Sequence, residues 1–357
     1  MNITTIAGRD LSPELARAWG ALQRANPDLS SPFFHPEFTR CVASVKPNVE
    51  IAVIEDGGRI VAFFPFERIF RSLGEPVGGL LSDYHGLVSA GGLNADFARL
   101  DLLRACKLIA WDFSRLPASQ SRFHGQTHAM IASPQIELPD GYPAYAERKR
   151  ACGSNLIDRS AYLARRLGRE IGPLRYVAHE TDRRILDHIL SWKSAQYERT
   201  GKPDIFRASW TRALVSAIHD AQTEGFAGVL STLYAGDQLI AGHFGMRSRD
   251  SWHYWLPSYN RDFSKYSPGL ILILKMAESA AQFGVRMIDL GAGMSQHKAR
   301  LATGSVMLSA GSIELSTWRS MRRNVQRNIV AGVLNTPLEA PARAIVRSWR
   351  ALKSPTY

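Results

Sequence analysis

Cysteine is scarce in this chain: Cys41, Cys106 and Cys152 are the only three among 357 residues. They cannot all pair, and their spacing fits no metal motif, which excludes a disulfide-stapled scaffold and a cysteine zinc site. We expect reduced, mostly buried thiols in a cytoplasmic protein. Long apolar runs are also missing. The longest aliphatic stretch, Leu270 to Leu274, closes on Lys275, far short of the ~20 residues that span a bilayer. The start, MNITTIAGRD, lacks the basic residues and apolar stretch of a secretory signal. No G-x-S-x-G elbow, H-E-x-x-H pair or carboxylate cluster occurs, so neither a serine triad nor a metal site is expected.

Acidic residues are outnumbered, 32 against 44 Lys and Arg, for a formal net charge of +12. The excess is uneven. Between Trp318 and Tyr357 eight basic residues (Arg319, Arg322, Arg323, Arg327, Arg343, Arg347, Arg350, Lys353) face Glu339 alone. The rest of the chain is only mildly basic, so no nucleic-acid footprint runs along the body and a nucleic-acid partner is not expected. With 45% hydrophobic and 21% charged residues, the chain buries a sizeable core and is not disordered. Its length suits two packed domains.

Periodicity is clearest from Phe226 onward. GVLSTLYA, LIAGHFGMR and WHYWLPSY read as three strands joined by the tight turns at Gly236-Asp237 and Arg249-Asp250. The loop Asn260 to Tyr266 leads into the helix PGLILILKMAESAAQF, with Ser267 as N-cap, Pro268 in the first turn and Gly284 as its stop. VRMIDLGAG follows as a buried strand. The first half repeats this order: VEIAVIE and RIVAFFPFERI form a hairpin, PVGGLLSDYHGLVS is extended, NADFARLDLLRACK is helical and LIAWDFS closes the unit. We read an α/β tandem of two related modules, each a mixed sheet flanked by helices: an N-terminal module over 1–172, a C-terminal module over 173–317, and a basic helical tail over 318–357. A basic helix, Arg159 to Arg169, precedes the join near Pro173, and helices Asp182–Thr200 and Ser209–Glu224 open the second module.

The chemistry concentrates in the second module. NRDFSKYSPG joins a strand to a helix start, where unpaired N–H groups, the helix dipole and the Lys265 ammonium favour an anion. An ordinary capped helix explains Ser267 and Pro268 without any ligand. Met287 to Gly293 also resembles the first motif of methyltransferases, but the third glycine is absent and the βα units such a sheet needs do not follow. His243 lies on one face of its strand with Leu239 and Ala241, while His253, Trp255, Pro257 and Tyr259 share a face of the next. Asp289 ends its strand, and Lys298 follows in QHKARL. A carboxylate and a histidine on neighbouring strand ends can accept a proton from a nucleophile, or simply hold a buried hydrogen bond.

Three strands, a helix and a strand, with an anion loop at the helix start, resemble the GNAT acyltransferases. SPFFHPEF, SDYHG, SWKSAQYERTG, LIAGHFG, WHYWLPSYN, YSPG and DLGAGMSQHK resemble, more narrowly, the CelD-like acetyltransferases of cellulose and exopolysaccharide biosynthesis, relatives of the Fem aminoacyl transferases with two GNAT-like modules. The resemblance implies acetyl-CoA as acyl donor and no metal, with Lys265, Tyr266, Ser267, Pro268 and Gly269 at the pyrophosphate. His243 or Asp289 would take the acceptor's proton, and Lys298 would steady the oxyanion. Asp83, Tyr84, His85, Lys193, Tyr197, Trp255 and Tyr259 would line the groove for a small-molecule or saccharide amine or hydroxyl. The first module's connection, VSAGGLNADF, has no Ser-Pro-Gly cap and places Asp96 near the helix start, so one cofactor site is expected, with the first module as acceptor wall. The tail reads as two basic amphipathic helices, solvated or docked on an anionic membrane. The rival readings are a Fem-type transferase using charged tRNA and a non-catalytic accessory protein of polysaccharide synthesis.

Overall fold

The computed structural model describes residues 1–91, 99–123 and 125–316, with backbone alone at 121–123. The basic tail expected over 318–357 lies outside the described residues, as does the start of the helix expected from Asn94.

Strand β1 (Asn2–Ala7) precedes helices α1 (Pro13–Arg24) and α2 (Pro36–Val45). Both helices open on proline, and each has a side-chain cap: Ser12 Oγ accepts the Leu15 N–H and His35 Nδ1 that of Glu37. The expected hairpin is β2 (Val49–Asp56) and β3 (Arg59–Ile69), turning on Gly57 and Gly58, both at positive φ. Then come β4 (Leu73–Glu75), β5 (Val88–Ser89), α3 (Arg99–Ala105), β6 (Ala110–Pro117) and β7 (Gln126–Glu137). The stretch 76–89, expected to be extended, is mostly a loop. Gly78, Gly79 and Gly86 have φ of 83°, 53° and 145°, values that interrupt a strand, and only Val88–Ser89 pairs, with β3.

Helices α4 (Gly141–Ala151) and α5 (Leu156–Glu170) lead through β8 (Leu174–Val177) into α6 (Arg183–Arg199) and α7 (Ser209–Asp220). Short β9 (Gln222–Thr223) and the three expected strands β10 (Phe226–Ala235), β11 (Gln238–Arg247) and β12 (Ser251–Tyr259) follow. Next are α8 (Pro268–Ser279), β13 (Met287–Asp289), α9 (Gln296–Leu301) and β14 (Gly304–Glu314). Ser267 precedes α8 in the left-handed region, φ 51° and ψ 55°, and its side chain makes no capping bond, unlike the N-cap expected.

The sheet runs β1-β2-β3-β4-β6-β14-β7-β13-β12-β11-β10-β8. Its pairs are antiparallel except β4–β6 and β12–β13. The halves exchange their closing strands: β7 pairs with β13 and β14, while β14 pairs with β6 and β7. One apolar cluster joins the halves, with Trp19, Phe34 and Phe38 against Ile189, Phe226 and Phe244. A second packs α4 and α5 (Tyr145, Leu163, Leu167) against α8 (Ile271, Leu272), so helices before Pro173 build the C-terminal core. A third joins Phe64, Phe66, Leu102 and Trp111 of the first half to Ile313 of β14. Cys41 and Cys106 are buried, Cys152 is exposed, and all three are free.

Candidate active site

Strands β12 and β13 run parallel but pair only from Ser251↔Met287 to His253↔Asp289. Beyond that point β12 continues to Tyr259 along β11. The chain after Asp289 instead follows β7, through Leu290 N–H to Pro134 O and Gly293 N–H to Ala132 O. A wedge opens between them, and its base is the His253–Asp289 pair.

Around that base lies a buried, charged cluster drawn from both halves. His253 is fully buried, with Nε2 2.8 Å from Asp83 Oδ2 and Nδ1 3.4 Å from Asp289 Oδ1. Arg115 on β6 pairs with Asp83 Oδ1 at 3.0 Å. Asp289 accepts from Tyr84 Oη (2.5 Å), Gln135 Nε2 (3.0 Å), Ser133 Oγ (2.9 Å) and the Gly291 N–H (2.7 Å). Burial alone would raise the Asp289 carboxyl, but the His253 hydrogen bond and charge, with Tyr84 and Gln135, hold it down at about 2. Burial alone would likewise lower His253, yet the bonds to Asp289 and Asp83 push it up to about 9, so it is an imidazolium at neutral pH. Asp83 is also held below its ordinary value, because His253 and Arg115 outweigh burial. Two carboxylates thus face two cations, the pairing that makes buried charge tolerable.

Lys298 reaches back over the loop that borders the wedge. Its Nζ donates to the carbonyls of Gly291 (2.8 Å), Ala292 (3.2 Å) and Gly293 (3.1 Å), and Ser295 Oγ caps its N–H. Gly291 has φ +79°, and a Cβ there would stand 3.1 Å from Asp83 Oδ2. The DLGAG glycine therefore serves close packing on the cluster.

The first half has the corresponding parallel pair, β4 and β6, at Leu73↔Ala110 and Gly74↔Trp111. There the loop 76–87 lies along β6. His85 Nε2 accepts the N–H groups of Ser114 (3.0 Å) and Arg115 (2.9 Å), and Gln120 clamps both backbone groups of Leu87. That wedge is filled by its own chain.

That arrangement has relatives. Residues 159–299 match the acetyltransferase (GNAT) domain family. The structure of FemX is similar over 91% of this chain and 100% of its own, with TM-score 0.59 and 12% identity. A C-terminal domain assigned to a lysylphosphatidylglycerol synthetase from Agrobacterium fabrum is similar over 89% of this chain and 98% of its own, with TM-score 0.51 and 10% identity. A protein of unknown function from Bacteroides thetaiotaomicron has the same TM-score at 12% identity, over 83% and 97%. At these identities the likeness is one of fold. No curated protein matches the sequence.

Within this GNAT-type fold the expected residues divide. Asp83, Tyr84, Asp289 and Lys298 meet at the wedge. His243 does not meet them: it is fully buried on β11, stacks on Tyr254 at 4.5 Å, and accepts the Trp255 N–H at 3.1 Å. Burial and the neighbouring His253 charge hold it neutral. The histidine at the site is His253, one strand over, which the sequence reading placed only on a strand face. His85, expected to meet acceptor, is instead the plug of the first wedge, and burial, then Arg115, lowers it to about 3. Arg115, Ser133 and Gln135 carried no motif; Ser133 and Gln135 are buried and Arg115 is half-buried, and their only mark in the sequence is a polar residue within a strand.

Lys193 on α6 donates to Pro257 O at 3.1 Å, and burial lowers it to about 8. Tyr197 packs on Phe206, and Trp255 on Phe33 and Phe244. Tyr259 is exposed and lines a cavity of about 210 Å³ with Trp192, Arg199 and Arg261. It lies beside the α8 start, where a Cβ on Gly269 would meet only Tyr259 Cδ1, at 3.9 Å. Tyr266 is buried, so it cannot offer its ring to a ligand, and its hydroxyl donates to Glu170 at 2.5 Å. Lys265 Nζ stands 3.4 Å from the same carboxylate. An internal anion therefore already sits on the loop. Pairing with Arg166 first, then Tyr266 and Lys265, holds Glu170 at about 2. Among the described residues, no group of three His, Cys, Asp or Glu is placed to hold a metal ion, and no helix is long and apolar enough to cross a membrane.

Proposed function

We propose that the chain is an acyltransferase that moves an acyl group, in the simplest case acetyl, from acyl-CoA to a nucleophile at the β12–β13 wedge. The observation that carries this reading is the β12–β13 wedge, which lies inside the segment that matches the GNAT domain and ends on the His253–Asp289 pair, with Asp83 brought to His253 from the first half. The wedge suits a pantetheine arm. The α8 start with Arg199, Arg261 and the rings of Trp192 and Tyr259 suits a diphosphate and an adenine. Glu170 must yield Lys265 for that loop to add its charge.

In the reaction the nucleophile attacks the thioester carbonyl, its new bond to carbon forms, the C–S bond breaks and the thiolate leaves. Asp83 is the cluster carboxylate nearest solvent, with a side chain 18% exposed against 2% for Asp289, and we assign it the acceptor's proton, directly or through a water. His253 holds Asp83 ionised and oriented. Lys298 keeps the 291–293 loop at the wedge border. The CelD-like resemblance adds a polysaccharide setting to this reading.

Calorimetric titration with acetyl-CoA and CoA tests the donor. We expect both to bind, and Arg199→Glu with Arg261→Glu to weaken both at least about tenfold. Asp83→Asn should keep donor affinity and lower turnover about 10²- to 10⁴-fold, the usual worth of a positioned proton acceptor. Absence of CoA and acetyl-CoA binding, with binding of charged tRNA, would replace this reading by the tRNA-dependent one.

A further inference from the structure

When a nucleophile adds to a thioester, negative charge builds on the carbonyl oxygen, and a hydrogen-bond donor aimed at that oxygen is a major aid to the reaction. In a splayed strand pair the ready donors are the backbone N–H groups along the edge that the neighbour has left. On β12 the first two such groups are unavailable. The Asn260 N–H donates to Ile240 O, so Gly242 and Ser258 are the residues that exchange both bonds, and the backbone N and O of residue 257 point away from β11, into the wedge. Residue 257 is proline and has no N–H. Two residues nearer the base, at the register shift, the Trp255 N–H donates to His243 Nε2 at 3.1 Å.

A cation stands where those donors are missing. Lys193 reaches from α6 to the wedge-facing carbonyl of Pro257, its Nζ 3.1 Å from the oxygen, and lies 5.5 Å from the centre of the Tyr197 ring. That carbonyl takes one of the three hydrogen bonds an ammonium can donate. Lys193 is half-buried and makes no ion pair among the described residues; burial and then the like charge of Lys202 disfavour its ammonium. Holding an unpaired charge there is costly, as expected of a group whose counter-charge arrives with the reaction. Tyr197 is raised by burial, then by Asp204 and Asp83, so Lys193 and the proton-accepting Asp83 flank the same ring.

We propose that the Lys193 ammonium is the oxyanion donor of the wedge, in place of the strand N–H that Pro257 removes. The assignment rests on the acyltransferase reading. As the nucleophile's bond to carbon forms, the carbonyl π electrons move to oxygen, and Lys193 donates a hydrogen bond to that oxygen while keeping its own proton. The electrons return as the C–S bond breaks and the thiolate leaves, and the nucleophile's proton passes to Asp83.

The test uses the full chain and acetyl-CoA labelled with carbon-13 at the carbonyl. Calorimetry measures binding, difference infrared spectroscopy follows the bound C=O band, and CoA release to hydroxylamine gives turnover. The band should move to lower wavenumber on binding to the unmodified chain. Lys193→Met should keep donor affinity within about threefold, lose the band shift and lower kcat about 10²- to 10³-fold. Lys193→Arg, which keeps a cation, should regain at least about tenfold of that loss. Pro257→Ala, which restores a wedge-facing N–H, should raise kcat in the Lys193→Met background. Around Lys193 stand Lys202, Tyr197 and the neutral His243, so kcat should fall as pH rises through about 8, where the ammonium loses its proton, and Lys193→Arg should lack that fall. Acetyl-CoA binding with an unshifted band, or with the same band and kcat in Lys193→Met, would overturn the assignment and leave the donor reading standing. Absence of acetyl-CoA binding would remove the donor reading and this assignment with it.

Discussion

At the residue scale, Asp289 carries the most connections. It accepts four hydrogen bonds and faces an imidazolium while almost fully buried. Asp289→Asn keeps the shape but removes the charge that balances His253. Breaking one side of a buried pair costs about 3–5 kcal/mol, so we expect a loss of that order in urea denaturation at pH 7. Glu170→Gln acts in the opposite sense on ligand binding. It releases Lys265 and removes a negative charge from the α8 loop, and donor affinity should rise about three- to tenfold at low salt. Unchanged affinity in calorimetry would mean that the Lys265–Glu170 contact does not compete with the diphosphate.

At the element scale, two backbone positions can be tested directly. Ser267 adopts φ 51° without a capping bond, a conformation that costs an L-residue roughly 1–2 kcal/mol. After glycine's extra unfolded-state entropy, Ser267→Gly should stabilise the chain by about 0.5–1 kcal/mol. Gly291 and Gly293 form a matched pair, both at positive φ. A Cβ at Gly291 approaches Asp83 Oδ2, whereas one at Gly293 meets nothing within 4 Å. Gly291→Ala should therefore lower both stability and turnover, and Gly293→Ala stability alone. The legibility of the sequence follows the same local rules. β10, β11, β12 and α8 were readable because their patterns are strong and their turns carry glycine or aspartate. β7 was not: Gln126–Met130 is exposed and Ser133 and Gln135 are polar yet buried, because that strand faces the charged cluster. His253 was passed over for His243 because strand alternation assigns a residue to a face without naming its neighbour across the sheet. That neighbour is set by the β12–β13 register, and parallel register carries no turn to reveal it.

At the scale of the whole molecule, buried histidines pull stability in two directions. His35 and His85 are lowered to about 4 and 3, chiefly by burial. Between about pH 4 and 6.5 the unfolded chain binds more protons at these groups, so stability rises with pH there. His253 is raised to about 9, so its contribution is complete below 6.5 and declines as pH rises through its folded value. Lys193, lowered to about 8, opposes that decline at higher pH. Stability should thus peak near pH 6.5 and fall toward pH 8, and His253→Gln should flatten that fall; urea midpoints at half-unit steps measure it. The exchanged strands also bind the halves into one cooperative unit. Calorimetric melting should give a single transition, and residues 1–172 and 173–316 should be soluble when co-expressed and insoluble when expressed separately.

The strand exchange also sets a timetable for biosynthesis. The N-terminal half leaves the ribosome with the β6 edge open, and β14, the strand that closes it, begins almost two hundred residues later at Gly304. Until then β6 and β7 are unpaired edges beside an apolar face, the condition in which nascent chains aggregate or recruit chaperones. Slowing translation, which helps many two-domain proteins by letting the first domain finish, should lower the soluble yield of this one.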